Sequence, residues 1–233
     1  MAKTITIGID EVGRGPLAGP VAVGAFAVNN KAVLKRFRGV KDSKQLSENQ
    51  RNEWMKKIHL YHDHTSAYDV VRSHHSEAVC FPTRAQRQER NTRRARRERA
   101  VQIEYVISFS SARTVDRHGI VKAINYAIKR CLAKLEKKGF APVNSRILLD
   151  GSLKAPDKYK NQKTIISGDV KEPIIALASI CAKVARDRRM KQIGKDYPAY
   201  GFEIHKGYGT RLHYQRLTEN GPCIQHRLTF LKL

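Results

Sequence analysis

Five short runs of apolar and β-branched residues punctuate the chain and predict the strands of a sheet. The runs cover residues 4–9, 21–28, 103–109, 146–149 and 164–167. A loop rich in glycine and proline, residues 13–20, separates the first two runs, which favours a second strand that pairs back on the first. Segments with helical character follow most of the later strands, so the pattern predicts the α/β class.

Three longer segments predict helices. Ser47 is a candidate N-cap for a helix that runs to Ile58, and residues 116–135 repeat apolar side chains at the spacing of an amphipathic helix. Residues 173–190 are largely apolar in their first half and basic in their second. From about residue 190 the chain is rich in histidine, glycine, tyrosine and arginine, which favours a C-terminal helical region that contains a functional loop.

The segment at about 59–100 differs from everything around it. Residues 84–99 contain eight arginines and two glutamates with almost no apolar residue, so a helix there would have no face to bury. We interpret the chain as one domain, residues 1–233, interrupted by this basic insert. The insert is either an arm that adds affinity for a duplex or a stretch without function. A zinc site is a third alternative, but the histidines and cysteine between His62 and Cys80 fit no standard zinc spacing.

The charge balance narrows the class of partner. The sequence has 45 lysines and arginines against 21 aspartates and glutamates, a formal net charge of +24. This surplus favours nucleic acid, although a ribosomal structural protein or a membrane-surface protein would share it. No run approaches the roughly 18 apolar residues that a membrane span needs, and no signal peptide is visible. The scattered cysteines, which form no CxxC pair, are typical of a reduced, cytoplasmic protein.

Acidic residues follow three of the predicted strands. Asp10 and Glu11 end the first strand, Asp150 ends the fourth, and Asp169 follows the fifth. Because sites collect at strand ends in open α/β sheets, we expect these four carboxylates to converge. Their mutual repulsion would require a cation, and hard divalent ions such as Mg²⁺ or Mn²⁺ prefer oxygen ligands.

Strand alternation and turn preferences both bear on whether these residues form one cluster. Adjacent strand residues point to opposite faces, so Asp10 and Glu11 can share a site only if the strand ends or bulges at Glu11, as we expect. Asp150 followed by Gly151 is also a common turn, and this pair taken alone favours an ordinary turn over a ligand.

Many short motifs together resemble the type 2 ribonucleases H, the ribonuclease HII family. The longest runs from Gly8 to Val21 and reads GIDEVGRGPLAGPV. The other matching blocks are, in order, DSKQLS (42–47), LLDG (148–151), ASI (178–180), AKV (182–184), RD (186–187), YP (197–198), YGF (200–202), HKGYGT (205–210), GP (221–222) and HR (226–227). They cover most of the chain outside 59–100, and their number and order make the resemblance specific.

The resemblance implies a ribonuclease H-like fold, a mixed sheet flanked by helices with a C-terminal helical region. It implies an endonuclease that hydrolyses the RNA strand of RNA–DNA hybrids and single ribonucleotides in duplex DNA, leaving 3′-OH and 5′-phosphate ends. Asp10, Glu11, Asp150 and Asp169 would be the catalytic carboxylates, and they would bind two Mg²⁺ or Mn²⁺ ions. We expect the enzyme to act as a monomer in the cytoplasm, away from membranes.

The resemblance also implies a substrate-binding segment. Gly13, Arg14 and Gly15 match the segment that grips the ribonucleotide, and glycines let backbone amides approach a sugar-phosphate closely. Tyr208 matches the tyrosine that packs on the neighbouring deoxyribose, and the glycines on either side of it favour an exposed loop over a core position.

Other polar residues in the matching blocks have competing interpretations. Lys44 and Lys183 are candidate phosphate contacts, or alternatively ordinary surface lysines. Asp187 follows an arginine on a predicted helix, which favours a structural ion pair over a metal ligand. The sequence departs from the family just before Asp169, where Ser167 replaces the usual lysine.

Two other functions compete with this hypothesis. A basic protein of the same fold could bind nucleic acid without cutting it, but clustered carboxylates would repel phosphate and argue against a pure binding role. The sister type of ribonuclease H does not cut at single ribonucleotides, and it lacks the Gly-Arg-Gly segment that this chain contains.

Overall fold

A five-stranded mixed sheet forms the centre of the molecule. The computed structural model describes residues 5–66 and 102–231. The strands are β1 (Thr6–Val12), β2 (Val21–Val28), β3 (Ile103–Ser110), β4 (Arg146–Asp150) and β5 (Gln162–Ile165). Their order in the sheet is β3-β2-β1-β4-β5. The first three strands pair antiparallel, whereas β4 and β5 run parallel to β1. The predicted pairing of β2 back on β1 is confirmed.

Helices cover both faces of the sheet and form most of the C-terminal region. They are α1 (Glu48–Ser66), α2 (Ala112–His118), α3 (Ile120–Lys137), α4 (Gly168–Lys171), α5 (Pro173–Asp196), α6 (Phe202–His205) and α7 (Arg211–Asn220). α3 packs on one face of the sheet, and α1 and α5 pack on the other. The predicted α/β class and C-terminal helical region are confirmed.

Local sequence signals set the helix boundaries. Ser47 caps α1 as predicted: its hydroxyl accepts from the Gln50 amide at 3.2 Å, and the Gln50 side chain accepts from the Ser47 amide at 2.8 Å. α1 continues beyond the predicted end at Ile58 to Ser66. The single helix predicted over 116–135 is wrong, because Gly119, with φ at 78°, separates α2 from α3.

Two glycines bring α5 directly onto the sheet. Gly8 of β1 and Gly24 of β2 face this helix, and a Cβ atom at either position would overlap a backbone carbonyl of α5, that of Ile174 or Ala178. Since side chains alternate along a strand, the other face of β1 presents Ile7 and Ile9 to the core under α3. The close contact over Gly8 and Gly24 fixes which part of α5 lies above the end of β1.

A small apolar cluster joins the C-terminal region to the loop between β1 and β2. Ala18 of this loop packs with Met190 and Ile193 of α5 and with Tyr200 and Phe202. Residues 67–101 lie outside the described residues, so the basic insert, the zinc alternative there and the division into one interrupted domain stay predictions.

Candidate metal centre and substrate-binding loop

Asp10 lies on β1 directly beneath α5. It follows Gly8 by two residues, so its side chain points to the same face of the sheet, and its partner across the ladder is Gly24. Only 3% of Asp10 is exposed. The hydroxyl of Ser179, on α5, donates a hydrogen bond to its carboxylate. Because Gly24 has no side chain, α5 lies close enough to β1 for Ser179 to reach Asp10.

Asp150 lies beside Asp10 because β4 runs parallel to β1. The ladder pairs Ile9 with Leu149, so the residue after each falls at the same edge of the sheet. Ligand oxygens of Asp10, Glu11 and Asp150 all lie within 4.8 Å of one another. No other group of three or more acidic, histidine or cysteine ligands has this spacing within 5–66 and 102–231. The expected convergence of these three carboxylates is confirmed, and their catalytic roles stay predictions.

The expected end or bulge of β1 at Glu11 is wrong. β1 continues in regular register to Val12, with Glu11 opposite Val23 of β2. β4, however, pairs with β1 only as far as Ile9. The Glu11 side chain, one methylene longer than aspartate, reaches the cluster past this edge of β1, although its Cβ belongs to the opposite face by alternation.

Asp169 reaches the site from a helix rather than from a strand end. β5 ends at Ile165, earlier than predicted, and Asp169 lies in α4. Ser167 turns the chain between them with φ at 55°, in the left-handed region. The Asp150 carboxylate accepts from the amides of Gly168 at 2.6 Å and Asp169 at 3.3 Å. Asp169 is thus next to the cluster but is not one of its three converging carboxylates.

Lys44 partly balances the negative charge at this site. Its Nζ donates to a carboxylate oxygen of the buried Asp169 at 3.2 Å. Partial burial alone would lower the pKa of Lys44, but the hydrogen bond to Asp169 and the charges of Asp42, Asp169 and Asp10 outweigh it and raise the pKa. Lys44 therefore stays protonated beside the carboxylates. Its predicted role as a phosphate contact stays a prediction.

Burial disfavours the ionised forms of Asp10 and Glu11, and nearby donors and positive charge only partly compensate for this effect. Desolvation, opposed in part by the hydrogen bond from Ser179, raises the pKa of Asp10 to about 8. Desolvation is also the main cause of the raised pKa of Glu11, and the nearby Arg14 only partly opposes it. Together with Asp150, these two residues form an all-oxygen donor set. Hard divalent cations such as Mg²⁺ or Mn²⁺ prefer ligands of this type. The residues present therefore fit a divalent metal site.

Two buried serines support the cluster, and neither was predicted from the sequence as a site residue. The Ser179 hydroxyl that contacts Asp10 is also 2.8 Å from the hydroxyl of Ser43. Both serines are buried, and both lie in blocks that carry the family resemblance. A hydroxyl inside the otherwise apolar start of α5 is the sequence signal that could have identified Ser179.

Gly13 must be glycine for two separate reasons. Its φ is 87°, which other residues rarely adopt. A Cβ atom would also overlap the Arg186 side chain. Gly15 differs, because a Cβ there would meet no atom of residues 5–66 and 102–231 within 4 Å. Arg14 and Gly15 are exposed, whereas residues 16–20 behind them are buried. The exposed tip of the loop, Arg14 and Gly15, therefore lies four to five residues after Asp10.

Lys183 and Tyr208 lie beside this loop. Tyr208 is 42% exposed, as predicted for a residue in a glycine-flanked loop, and the Arg186 guanidinium lies 5.6 Å from the centre of its ring. Lys183 Nζ donates to Asp187 at 2.7 Å, and Asp187 also pairs with Arg51 at 3.6 Å. The structural ion pair predicted for Asp187 is confirmed.

Two buried histidines, His205 and His213, form hydrogen bonds with the backbone of Gly207 and Tyr208, and a third, His226, contacts His213. His213 Nδ1 donates to the Tyr208 carbonyl at 2.9 Å, and the Gly207 amide donates to His205 Nδ1 at 3.1 Å. The Cys223 amide donates to His226 Nδ1, so His226 Nε2 carries the proton and donates to His213 Nε2 at 3.1 Å. Each ring is neutral in this arrangement, since one nitrogen of each must accept.

Comparison with known proteins agrees with the geometry of the site. The family model "Ribonuclease HII" matches residues 7–233. The chain belongs to the ribonuclease HII family. Relatives named ribonuclease HII include one from Prochlorococcus marinus (strain MIT 9312), 37% identical over 98% of this chain and 90% of its own length. Another, from Caldicellulosiruptor bescii, is 33% identical over 97% of this chain and 85% of its own length.

Solved structures show the same fold. The ribonuclease HII in a PCNA complex from Archaeoglobus fulgidus has a TM-score of 0.61 at 21% identity, over 98% of this chain and 96% of its own. The ribonuclease H2 of Pyrococcus horikoshii gives 0.59 at 20% identity, over 97% and 93%. The predicted ribonuclease H-like fold is confirmed.

Membership of this family makes the chain an endoribonuclease, a metal-dependent hydrolase of the ribonuclease H class. Ribonucleases H act on RNA–DNA hybrids. None of the helices in the described ranges 5–66 and 102–231 has the length and apolar character that a membrane crossing requires.

Proposed function

We propose that this enzyme cuts both the RNA strand of RNA–DNA hybrids and the bond on the 5′ side of single ribonucleotides in duplex DNA. The products would carry 3′-OH and 5′-phosphate ends. The observation that carries the proposal is the direct connection, through β1, of the carboxylate cluster to the loop that contains Gly13, Arg14 and Gly15. The groups that favour hydrolysis and those that favour a ribose are only a few residues apart.

Asp10, Glu11, Asp150 and Asp169 are the proposed catalytic carboxylates. Two Mg²⁺ or Mn²⁺ ions held by these residues would supply an activated water and stabilise the leaving 3′ oxygen. Ser179 fixes the orientation of the Asp10 carboxylate. The amides of Gly168 and Asp169 fix that of Asp150.

The loop at Gly13, Arg14 and Gly15 is the proposed ribose-binding element. No atom of the described residues occupies the space beside Gly15, so its lack of a side chain suits an approaching sugar rather than internal packing. Arg14 Nη1 lies 3.5 Å from Glu11, so the loop and the cluster also share an electrostatic contact. A backbone amide that meets the 2′-OH would distinguish RNA from DNA.

Tyr208, Lys183 and Lys44 complete the proposed binding surface. The exposed ring of Tyr208 is available to pack on the deoxyribose next to the ribonucleotide. Lys183 Nζ lies 6.0 Å from the centre of this ring, and Lys44 lies beside Asp169. Each lysine would contact a phosphate while its carboxylate partner holds it in place.

We also propose that the enzyme acts as a cytoplasmic monomer. The cytoplasmic location, though not the monomeric state, is supported by the three cysteines that the structure describes, Cys131, Cys181 and Cys223, which are all free thiols. Free thiols are typical of a reducing compartment.

A nicking assay tests the proposed function. Wild-type protein would be incubated with Mg²⁺ or Mn²⁺ and a DNA duplex that contains one ribonucleotide, with an all-DNA duplex and an RNA–DNA hybrid in parallel. We expect a nick on the 5′ side of the ribonucleotide, none in the all-DNA duplex, and a 5′-phosphate on the downstream product. Folded protein that binds all three duplexes and cuts none would instead support the rival function of a binding protein.

The role of Tyr208 has its own test. Tyr208→Ala should lower kcat/KM for the single-ribonucleotide duplex by about fivefold or more, because contacts of an aromatic side chain with a nucleotide contribute about 1–3 kcal/mol. Tyr126→Ala is the matched control, because Tyr126, on α3, is also exposed but its ring contacts His118 of α2. Equal rates for the two variants would remove Tyr208 from the binding surface.

A further inference from the structure

Arg227 is fully buried and holds the backbone of the loop between β1 and β2. Its Nη2 donates to the carbonyl of Gly13 at 2.7 Å and its Nη1 to that of Arg14 at 2.9 Å. Its Nε donates to the carbonyl of Gly19 at 3.0 Å. One planar guanidinium therefore fixes three peptide groups, and this geometry requires donors in a rigid fork.

A second buried guanidinium lies behind the same loop. Arg186, on α5, donates from Nε to the carbonyl of Pro20 at 3.0 Å and from Nη2 to that of Ala18 at 3.4 Å. Its side chain fills the space that a Cβ at Gly13 would need. Its Nη1 is buried without a hydrogen-bond partner among the described residues.

Neither arginine forms a salt bridge with a carboxylate of the described residues, and the charges of Asp187, acting on Arg186, and of Asp116, acting on Arg227, oppose only part of the effect of burial on the two pKa values. Within 5–66 and 102–231, no carboxylate lies within 4 Å of either guanidinium. Burial, and then the charge of Arg186, lower the pKa of Arg227 to about 9. Buried charge without a counter-ion is costly, and an apolar side chain would fill the same space without that cost. Ordinary packing therefore does not account for two arginines at this place.

The hydrogen bonds of Arg227 determine which groups the loop presents to solvent. The described chain has no cis peptide bond, and in a planar trans peptide the N–H points opposite to the C=O. Because the carbonyls of Gly13 and Arg14 point inward to Arg227, the amides of Arg14 and Gly15 must point outward. Neither amide makes a hydrogen bond to another described residue. Two adjacent donors thus face outward from the most exposed part of the loop.

We propose that Arg227 is a specificity-determining positioning residue, which orients the Arg14 and Gly15 amides toward the ribose and phosphate of the ribonucleotide, with Arg186 supporting Gly13 from behind. The inference rests on the proposed function of the loop. Arg227 does not touch the substrate. Its effect passes through the two peptide planes, so it acts on the choice between ribose and deoxyribose and leaves the carboxylate cluster unchanged.

The decisive variant is Arg227→Lys, which keeps the positive charge but cannot donate to three separated carbonyls. The matched control is Arg216→Lys, because Arg216 lies on α7, is exposed, and pairs only with Glu219 among the described residues. Both variants and wild type would be assayed for kcat and KM on the single-ribonucleotide duplex. The other readouts are the Mg²⁺ concentration for half-maximal rate and affinity, without divalent ions, for that duplex and for an all-DNA duplex.

We expect Arg227→Lys to lower kcat/KM about 10- to 100-fold and to bind the two duplexes with affinities within about twofold of each other. Its half-saturating Mg²⁺ concentration should match wild type. Arg216→Lys should match wild type throughout. Retained preference for the ribonucleotide duplex in Arg227→Lys would overturn the inference. A metal requirement that rises in parallel with the loss of rate would also overturn it, since that result indicates general distortion of the domain.

A measurement on the wild-type protein covers the case in which Arg227→Lys does not fold. The amide resonances of Arg14 and Gly15 should shift on titration with the ribonucleotide duplex and not with the all-DNA duplex. Unshifted amides would overturn the inference. Wild type that does not nick at a single ribonucleotide would instead overturn the proposed function and the inference with it. Wild type that nicks while Arg227→Lys keeps full discrimination would overturn the inference alone.

Discussion

Two neighbouring regions of the molecule contain buried charges of opposite sign. One is the carboxylate cluster at the end of β1, and the other is the pair of arginines behind the loop that follows β1. Asp10 and Glu11 lie at one end, and Arg186 and Arg227 surround the backbone a few residues further on. The pKa values of Asp10 and Glu11 are raised, mainly because both carboxyl groups are buried. The arginines are compensated by backbone carbonyls instead of carboxylates.

The two regions differ in how the cost of burying their charge is reduced. A carboxyl group can take up a proton when no cation is bound, and the raised pKa of Asp10, about 8, gives this residue a neutral state at moderate pH. A guanidinium has no such state near neutral pH, so its compensation must be built into the fold. We therefore expect the cluster to be replaceable with little cost in stability but a large cost in activity. The arginines should contribute to both.

The largest expected effect is that of Asp10→Asn on catalysis. Cleavage should fall by about 10³-fold or more, because the variant removes a proposed ligand of the ions that drive the reaction. The free energy of unfolding at pH 8 should stay the same or rise, since the variant removes a buried carboxylate. Cleavage rate and urea denaturation measure the two effects, and Asp157→Asn, at an exposed position, is the control. A large loss of stability in Asp10→Asn would show that the cluster also supports the fold.

Arg227→Ala should be the most destabilising of these changes. It leaves three buried carbonyls without a donor, and hydrogen bonds from a charged group contribute about 1.5–3 kcal/mol each before the cost of burying the charge is subtracted. We expect the free energy of unfolding to fall by about 2–4 kcal/mol. Urea denaturation of Arg227→Ala and Arg216→Ala provides the measurement. Equal stability of these two variants would contradict the contrast between the regions.

The carboxylate cluster and the histidines beside Tyr208 should make stability depend on pH in opposite directions. The folded pKa of Asp10, about 8, lies above its ordinary value of 3.8, so the native state holds a proton that the unfolded state has lost. Stability therefore falls as pH rises between these values. Burial lowers the pKa of His213 from 6.5 to about 4, so the unfolded state binds the extra proton and stability falls as pH drops from 6.5 toward 4.

Two variants separate these opposing trends. Asp10→Asn should remove the decline on the alkaline side, and His213→Asn should flatten the decline on the acidic side. Denaturation midpoints from pH 4 to 9 would show both. An acidic decline that persists unchanged in His213→Asn would mean that other groups cause it.

Divalent ions should stabilise the protein most where the cluster is most charged. Mg²⁺ should raise the thermal midpoint by a few degrees at pH 8 and by less at pH 5, because protons compete with the cation for the carboxylates. Asp10→Asn should reduce the shift at pH 8, and Arg216→Lys should leave it unchanged. A shift independent of pH would indicate that Mg²⁺ binds elsewhere.

The smallest effect should come from an exposed ion pair. Lys191 Nζ lies 2.6 Å from Glu48, and both side chains are about half exposed. Glu48→Gln should change the free energy of unfolding by less than about 1 kcal/mol, since solvent screens such pairs. A change as large as that of Arg227→Ala would mean that burial is not what separates the strong interactions from the weak ones.

The sequence was a good guide to the sheet and to the converging carboxylates. Apolar runs predicted β2 to the residue, and strand-end positions predicted that Asp10 and Asp150 would meet. The reason is that alternation and turn residues are local signals. Asp169 was harder, because the strand before it ends at Ile165 rather than at the predicted residue 167, and the left-handed turn at Ser167 leads into a short helix that carries Asp169.

The supporting residues could not be predicted, because their roles depend on contacts between distant parts of the chain. Arg227 binds the carbonyl of Gly13, 214 residues away in sequence, and nothing near it in the sequence indicates that it is buried. The bulge expected at Glu11 was wrong for a related reason. Alternation describes where Cβ atoms point, whereas the reach of the carboxylate depends on where β4 stops pairing with β1.

The helix α5 has a further consequence for where the enzyme cuts. Ser179 on this helix touches Asp10, and Arg186, seven residues later, supports the loop. Seven residues of α-helix make about two turns and span roughly 10 Å, so both contacts lie on one side of a rigid rod. In the proposed function, the pitch of α5 would therefore set the distance between the carboxylate cluster and the ribose-binding loop, and with it the separation between the scissile phosphate and the recognised sugar. Changes in surface loops would leave the cleavage position the same.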